Sequence, residues 1–162
     1  MKKVKECILN DLINEKFNEK QLFEQYKLYV EMADHVSERR DKTNRFYLGL
    51  ITSMITLSSV IFSITYNHIE LILVILVCTI LICWNWYQNI LSYKRLNSGK
   101  FDVINYIENR LAAKGFTVEW CLVKLEGYND LTNVEKNIPL YFIVLCILIL
   151  LGFIIQYFWN IF

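Results

Sequence analysis

Three long stretches of the sequence contain no Asp, Glu, Lys or Arg. They cover Phe46–Ile69, Leu71–Tyr93 and Asn137–Phe162. Each reaches the ~20 residues that an α-helix needs to cross a hydrocarbon core of about 30 Å. A buried helix of a soluble bundle would normally keep one charged face, and these stretches have none. The pattern therefore predicts an all-α membrane protein with three transmembrane helices.

These apolar stretches divide the chain into four segments. Residues 46–66 and 69–91 are predicted to form a transmembrane helical hairpin around the short turn "YNHIE", and residues 138–162 hold the third transmembrane helix. Residues 1–45 and 92–137 carry most of the charge and are predicted to be helical cytoplasmic regions. The net charge of only +1, with 55% hydrophobic residues, reflects this separation of charged from apolar sequence.

The charged N-terminal segment has the periodicity of an amphipathic helix. Its apolar positions step by four and three from residue 22, which predicts a long helix over 19–45: they are Leu22, Tyr26, Tyr29, Ala33 and Val36. No Gly or Pro follows until Gly49, so we expect this helix to continue unbroken into the first span. A shorter helix is expected near Lys3–Asn14.

The segment between the second and third spans predicts further helices. Phe101, Ile104, Ile107 or Glu108, and Leu111 indicate a helix that stops near Gly115. The stretch "FTVEWCLVKLEG" fits a helix or a strand. Thr132 and Glu135 have the spacing of a capping box, and Pro139 suits an early helical turn.

The distribution of basic residues predicts the orientation in the membrane. Ten of the 17 Lys and Arg residues precede the first span, and the other seven lie between the second and third spans. Neither the turn "YNHIE" nor the tail "QYFWNIF" contains any. Because cytoplasmic loops are enriched in Lys and Arg, we expect the N-terminus in the cytoplasm and the C-terminus outside.

Hydroxyl side chains recur along one side of the first span. Thr52, Thr56, Ser59 and Ser63 are four, three and four residues apart, which places them in one row on a helix. Small hydroxyl residues suit close packing between transmembrane helices. They also suit the wall of a water-filled pore, which one chain is too small to enclose but four to eight copies could form. The sequence leaves both interpretations open.

Basic residues cluster where the hairpin meets the cytoplasm. This basic cluster consists of Arg39, Arg40, Lys42, Arg45, Lys94, Arg95 and Lys100. It could anchor the spans and contact anionic lipid. Alternatively, its arginines could grip the phosphates of a ligand whose bases stack on Tyr47, Tyr87 or Tyr93.

Residues suited to catalysis or metal binding are sparse. The two histidines, His35 and His68, lie on opposite sides of the predicted membrane, and the five cysteines show no metal-ligand spacing. The sequence contains no phosphate loop, HExxH motif or nucleophile elbow. We expect no enzymatic activity, no cofactor and no bound metal.

Three stretches together resemble a known family. They are "EQYKLYVEMADHVSERRDKTNRFYL" (24–48), "KFDVINYIENRLAAKGFTVEW" (100–120) and "LTNVEKNIPLYF" (131–142). They are similar to the RipA-family octameric membrane proteins, which are small bacterial inner-membrane proteins. More loosely, the chain resembles the transmembrane effectors of nucleotide-signalling phage defence. One such system, Hailong, pairs an effector of this plan with a nucleotidyltransferase that makes DNA oligomers.

The resemblance implies a homo-oligomeric ring in the bacterial inner membrane. The defence comparison further implies a gated ion-conducting pore that depolarises the membrane under control of a nucleotide or single-stranded DNA signal. The leading hypothesis is therefore a pore-forming effector. The alternatives are a non-conducting oligomeric scaffold that organises a cytoplasmic partner, and a small-molecule sensor without a pore.

Overall fold

The computed structural model describes residues 18–64, 69–127 and 131–159. Regular structure in these ranges is helical throughout, as the sequence predicts. Five helices follow one another along the chain: α1 Glu19–Ile64, α2 Ile69–Glu108, α3 Gly115–Leu125, α4 Leu131–Glu135 and α5 Asn137–Trp159. The short helix predicted near Lys3–Asn14 and most of the turn "YNHIE" lie outside the described residues.

The first helix continues from charged into apolar sequence without a break. α1 contains 46 residues, which at 1.5 Å per residue gives about 69 Å, roughly twice the thickness of a hydrocarbon core. A helix bonds its backbone groups internally, so the same element is stable in water and in lipid. The predicted continuity of the amphipathic helix with the first span is confirmed.

The second helix is longer than the sequence predicts. α2 extends over 40 residues, from Ile69 to Glu108, so the second span and the helix expected from Phe101 are one element. Its end precedes Leu111, and Gly115 begins α3 instead of ending α2. The ambiguous stretch after Gly115 is helical, which excludes the strand.

The third transmembrane helix is preceded by a short helical turn. α4 ends at Glu135 and α5 begins at Asn137. Thr132 lies inside α4 and not before its first residue, and Glu135 accepts a hydrogen bond from Arg40 and not from the Thr132 backbone. The predicted capping box therefore does not form. Pro139 lies in the first turn of α5, where its missing N–H has no partner to lose.

Contacts divide the chain into two compact units. The polar unit comprises residues 1–39 and 93–129, of which 18–39 and 93–127 are described. Its core is Leu22 and Ile107, covered by Tyr26, Tyr29, Val103, Tyr106 and Leu111. The α1 periodicity from Leu22 thus identifies one wall of this core.

The membrane unit comprises residues 40–92 and 130–162. Two apolar clusters join α1, α2 and α5: Ile51, Cys83, Trp86 and Ile90 pack with Phe142 and Ile143, while Ile72, Leu76 and Cys146 pack with Ile61, Leu150 and Phe153. The three helices are long and apolar enough to cross a membrane. The protein is therefore an all-α membrane protein with three transmembrane helices.

Candidate pore and ligand sites

The hydroxyl row of α1 faces away from its own chain. In the spanning part of α1 the buried and half-buried side chains lie on one side of the helix: Tyr47, Leu50, Ile51, Met54, Ser58 and Ile61. Thr52, Thr56, Ser59 and Ser63 are exposed, and helical geometry places their row about 150° around the axis from the packed side. The row is consequently not an interface between helices of one chain.

Every hydroxyl in the row donates to the backbone of its own helix. Thr52 Oγ1 donates to the Leu48 carbonyl at 2.8 Å and Thr56 Oγ1 to the Thr52 carbonyl at 2.9 Å. Ser59 Oγ and Ser63 Oγ donate to the Ile55 and Val60 carbonyls at 3.0 and 2.9 Å. These bonds satisfy the protons without water, while the oxygens can still accept hydrogen bonds.

Arg45 belongs to the same row. It precedes Gly49 by four residues, and Gly49 precedes Thr52 by three, so the row runs from a guanidinium through a glycine to the hydroxyls. A shallow groove along this side of α1 is lined by Arg45, Gly49, Thr52 and Thr56 among others. Arg45 Nη2 pairs with Asp41 Oδ2 at 2.7 Å, and its side chain is 79% exposed. The sequence placed Arg45 in the basic cluster; the structure also places it at one end of the groove.

Arg40 of the basic cluster is committed to an internal ion pair. Its Nη2 donates to Glu135 Oε1 at 3.0 Å, and the two side chains are only 16% and 19% exposed. The second Glu135 oxygen is buried with no hydrogen-bond donor among the described residues. The pair joins α1 to the end of α4, so Arg40 positions helices and is poorly placed to meet a ligand.

The other members of the basic cluster fall in both units. Lys42 is exposed on α1 in the membrane unit. Arg39, Lys94, Arg95 and Lys100 belong to the polar unit, where Arg39 and Arg95 are exposed and the two lysines are half-buried. Exposed arginine residues are therefore present in each unit.

The aromatic residues proposed for base stacking are largely occupied. Tyr47 stacks on Trp86 with ring centroids 5.9 Å apart and planes within 7°. Its hydroxyl accepts from Asn89 Nδ2 at 2.7 Å, and Trp86 Nε1 donates to Asn44 Oδ1 at 2.8 Å. Tyr87 stacks on Trp84. The Tyr47 and Trp86 contacts fix α1 against α2, whereas the Tyr87–Trp84 stack lies within α2.

Glu108 is a buried carboxylate that joins three helices, a role that its place in the helical pattern from Phe101 does not indicate. Glu108 ends α2, is fully buried, and accepts four hydrogen bonds. Tyr26 Oη and Phe116 N donate to Oε1, both at 2.9 Å; Thr117 N and Oγ1 donate to Oε2 at 3.1 and 2.9 Å. Lys114, the residue at the N-cap of α3, makes no side-chain cap, so Glu108 caps that helix from another element.

The electrostatics of this junction follow from its hydrogen bonds. Burial by itself would raise the pKa of the Glu108 carboxyl, but the bonds from Phe116, Thr117 and Tyr26 outweigh it and hold the pKa below the ordinary value of 4.5. Burial and the neighbouring carboxylate raise the pKa of Tyr26 to about 12. The junction is therefore a carboxylate with a neutral phenol donor at neutral pH.

The outward sides of the other spans contrast with that of α1. α5 exposes apolar side chains such as Val144, Leu148, Leu151 and Ile155, which suit a lipid environment. Across the portion of the chain that is described, α1 alone presents a row of hydroxyls at membrane depth. The same residues include no group of three or more His, Cys, Asp or Glu side chains that could hold a metal ion.

The fold and the outward row define a three-span helical membrane protein with one polar side. The chain matches the model of the octameric membrane protein family (8xMP) over residues 23–159, and it belongs to this family. The predicted octameric family and homo-oligomeric assembly are confirmed. No curated protein and no solved structure matches the chain.

Proposed function

We propose that the octamer is a gated ion-conducting pore whose wall is the row Arg45, Gly49, Thr52, Thr56, Ser59 and Ser63. The observation that carries the proposal is the direction of this row, which is polar, at membrane depth, and turned away from its own chain. Hydroxyls can exchange hydrogen bonds with water, whereas the apolar outward sides of α2 and α5 favour lipid. Each subunit thus contributes one helix suited to water and two suited to lipid.

The symmetry of the ring supports a central opening. All copies of a membrane protein insert in the same direction, so eight copies are related by one axis normal to the membrane. Eight α1 helices about 10 Å in diameter, side by side, would place their axes about 13 Å from the centre and leave roughly 16 Å between facing walls. Closing such an opening requires the helices to tilt or rotate. An open state of this width would pass ions with little selectivity and depolarise the membrane.

The controlling signal in this proposal is a cytoplasmic anion. The exposed guanidinium groups of Arg39 and Arg95 in the polar unit are the candidates to bind it, because planar forks recognise phosphates. The resemblance to phage-defence effectors favours a nucleotide or single-stranded DNA made by a partner nucleotidyltransferase. In this scheme the protein is an anti-phage effector and has no catalytic activity of its own.

A non-conducting scaffold is the second candidate. It is favoured by the hydrogen bonds of the row, because each hydroxyl already donates to its own helix and needs no water. The row could then pack against a neighbouring α1 and close the centre of the ring.

Conductance and thiol accessibility distinguish the two candidates. The conductance of the purified octamer should be measured in a planar bilayer, with candidate nucleotides and without them. We expect it to conduct in one of these two conditions. Cysteine at Thr56 or Ser59 should react with hydrophilic thiol reagents in the conducting state, whereas cysteine at Ile61, which packs inside the chain, should not. Absence of conductance in every nucleotide condition, with equal protection at all three positions, would favour the scaffold.

The proposed location is the bacterial inner membrane, with the N-terminus in the cytoplasm. The resemblance supports the inner membrane, and the concentration of basic residues before the first span and between the second and third spans supports the orientation. A reporter fused after Phe162 should be active outside the cytoplasm, and a reporter on the N-terminus should be active inside. A cytoplasmic C-terminus would contradict this orientation.

A further inference from the structure

Helix α3 has two apolar sides. Phe116 contacts Tyr26 and Phe101, with ring centroids 6.4 and 5.9 Å apart, and Val123 is half-buried on the same side. On the opposite side of the helix, Val118, Leu122 and Leu125 are more than half exposed, and no residue of α3 is fully buried. Within one chain, the Phe116 side of α3 is packed against other helices and the opposite side is exposed.

The outward side of α3 is a continuous apolar row with charged edges. Val118, Cys121, Leu122 and Leu125 follow one another at spacings of three, one and three, and all are exposed. Glu119 lies along one edge of the row and Lys124 along the other. α3 has only 11 residues and is not one of the helices that could span a membrane. An exposed apolar row of this kind on a polar unit marks a contact surface.

Membership of an octameric family favours a second copy of the chain as the occupant of this surface. A ring of equally oriented membrane subunits has head-to-tail interfaces, so the α3 row must meet a different surface of the next copy. In the polar unit, α1 offers Leu28 and Met32, which are exposed, four residues apart, and on a different side from the packed Tyr29 and Ala33. Glu24 and Glu31 lie along one edge of this surface, where they also pair with Lys27 and His35 of their own helix. Their negative charge complements Lys124.

We propose that the outward row of α3 packs against the Leu28–Met32 surface of α1 in the neighbouring copy, and that this contact closes the ring in the polar units. The contact would cover apolar surface on both copies and set Lys124 beside the acidic border of α1. The proposal depends on octameric assembly and is independent of conduction.

Cys121 supplies a natural probe of this interface. In the full-length chain with Cys7 and Cys78 replaced by serine, Met32→Cys should form disulfides with Cys121 of the next copy under mild oxidation in membranes. Denaturing gels should then show a ladder of covalent multimers that disappears when Cys121→Ser is added. Asp34→Cys is the matched control, because Asp34 is exposed on another side of α1 and should give at least fivefold less multimer.

A second measurement separates a neighbouring copy from lipid. Leu122→Asp with Leu125→Asp should convert the octamer to smaller species in native mass spectrometry, whereas Glu119→Gln should leave it octameric. An octamer that persists with the double substitution, or equal cross-linking from Met32→Cys and Asp34→Cys, would overturn the proposal. So would a label at Leu125→Cys that is quenched by spin-labelled lipid while no ladder forms, because the membrane surface would then be the cover.

Discussion

The two units use polar side chains in opposite ways. In the polar unit, Glu108 is fully buried and its four hydrogen bonds come from Tyr26 and from the first turn of α3. In the membrane unit, the hydroxyls of α1 are exposed and each donates within its own helix. The polar unit therefore depends on its buried carboxylate for cohesion. The membrane unit is held by two apolar clusters and by contacts such as Arg40–Glu135 and Trp86–Asn44, and the exposed hydroxyls of α1 take no part in them.

The largest effect is expected from Glu108→Ala. Loss of the carboxylate leaves the donors of Phe116, Thr117 and Tyr26 without their acceptor in a buried site, which should destabilise the polar unit by about 3–5 kcal/mol. Thermal melting with limited proteolysis between α2 and α3 would measure it. Tyr26→Phe removes one of the four bonds and should cost only about 1–2 kcal/mol. If Glu108→Ala were as stable as the parent, the hydrogen bonds of Glu108 would not stabilise this unit.

The next effect concerns the Arg40–Glu135 ion pair of the membrane unit, which is largely shielded from solvent. Arg40→Ala should destabilise the packing of α1 on α4 and α5 by about 1–3 kcal/mol, because Glu135 would keep a desolvated charge without its partner. Arg45→Ala breaks a far more exposed pair and should cost about 0.5 kcal/mol or less. Resistance of the detergent-solubilised oligomer to heating is the measurement. A larger loss of stability for Arg45→Ala than for Arg40→Ala would contradict the conclusion that Arg40 is the arginine that holds the helices together.

Acidification provides a test specific to the polar unit. The pKa of Glu108 is lower in the folded protein than its ordinary value of 4.5, so its contribution to stability is fully present above that value. The contribution is lost as the pH falls through the lower, folded-state pKa. Unfolding followed between pH 6 and pH 3 should depend more steeply on pH in the parent than in Glu108→Gln. If the parent and Glu108→Gln depended equally on pH, the ionised Glu108 would not stabilise the polar unit.

Alkaline pH tests the same junction from its donor. The pKa of Tyr26 is raised from 10.0 to about 12 in the folded chain, so the stability of the polar unit should fall between those values. The fall arises because the unfolded phenol ionises before the folded one. Tyr26→Phe should remove that part of the pH dependence, which difference melting curves would reveal.

The smallest effect on stability is expected in the hydroxyl row. Thr56→Val and Ser59→Ala should each change stability by less than about 0.5 kcal/mol, because the carbonyls they bond already take part in the helix. Their effect on conductance should be much larger than their effect on melting, if the row faces water. A melting change as large as that of Arg40→Ala would show that the row is a packing surface.

Sequence periodicity predicted the features that depend on local spacing. The three spans, the unbroken α1 and the hydroxyl row all follow from which residues share a side of a helix. The continuity of α2 was missed, because Ser92, Asn97, Ser98 and Gly99 interrupt its apolar pattern and mimic a boundary. Contacts between distant residues were also missed: Glu108 bonds Tyr26 across 82 positions and Arg40 pairs with Glu135 across 95. A single sequence carries no signal that pairs such positions.

The length of α1 has a consequence for how related chains can differ. Each added residue turns the following part of a helix by about 100°, so one insertion between Arg40 and Tyr47 would move the later residues of the membrane unit off the side that packs. Selection should therefore tolerate substitutions within α1 far more readily than changes in its length. Length differences among relatives should concentrate in the connections at 65–68, 109–114 and 126–130, and an alignment of the family would show them there.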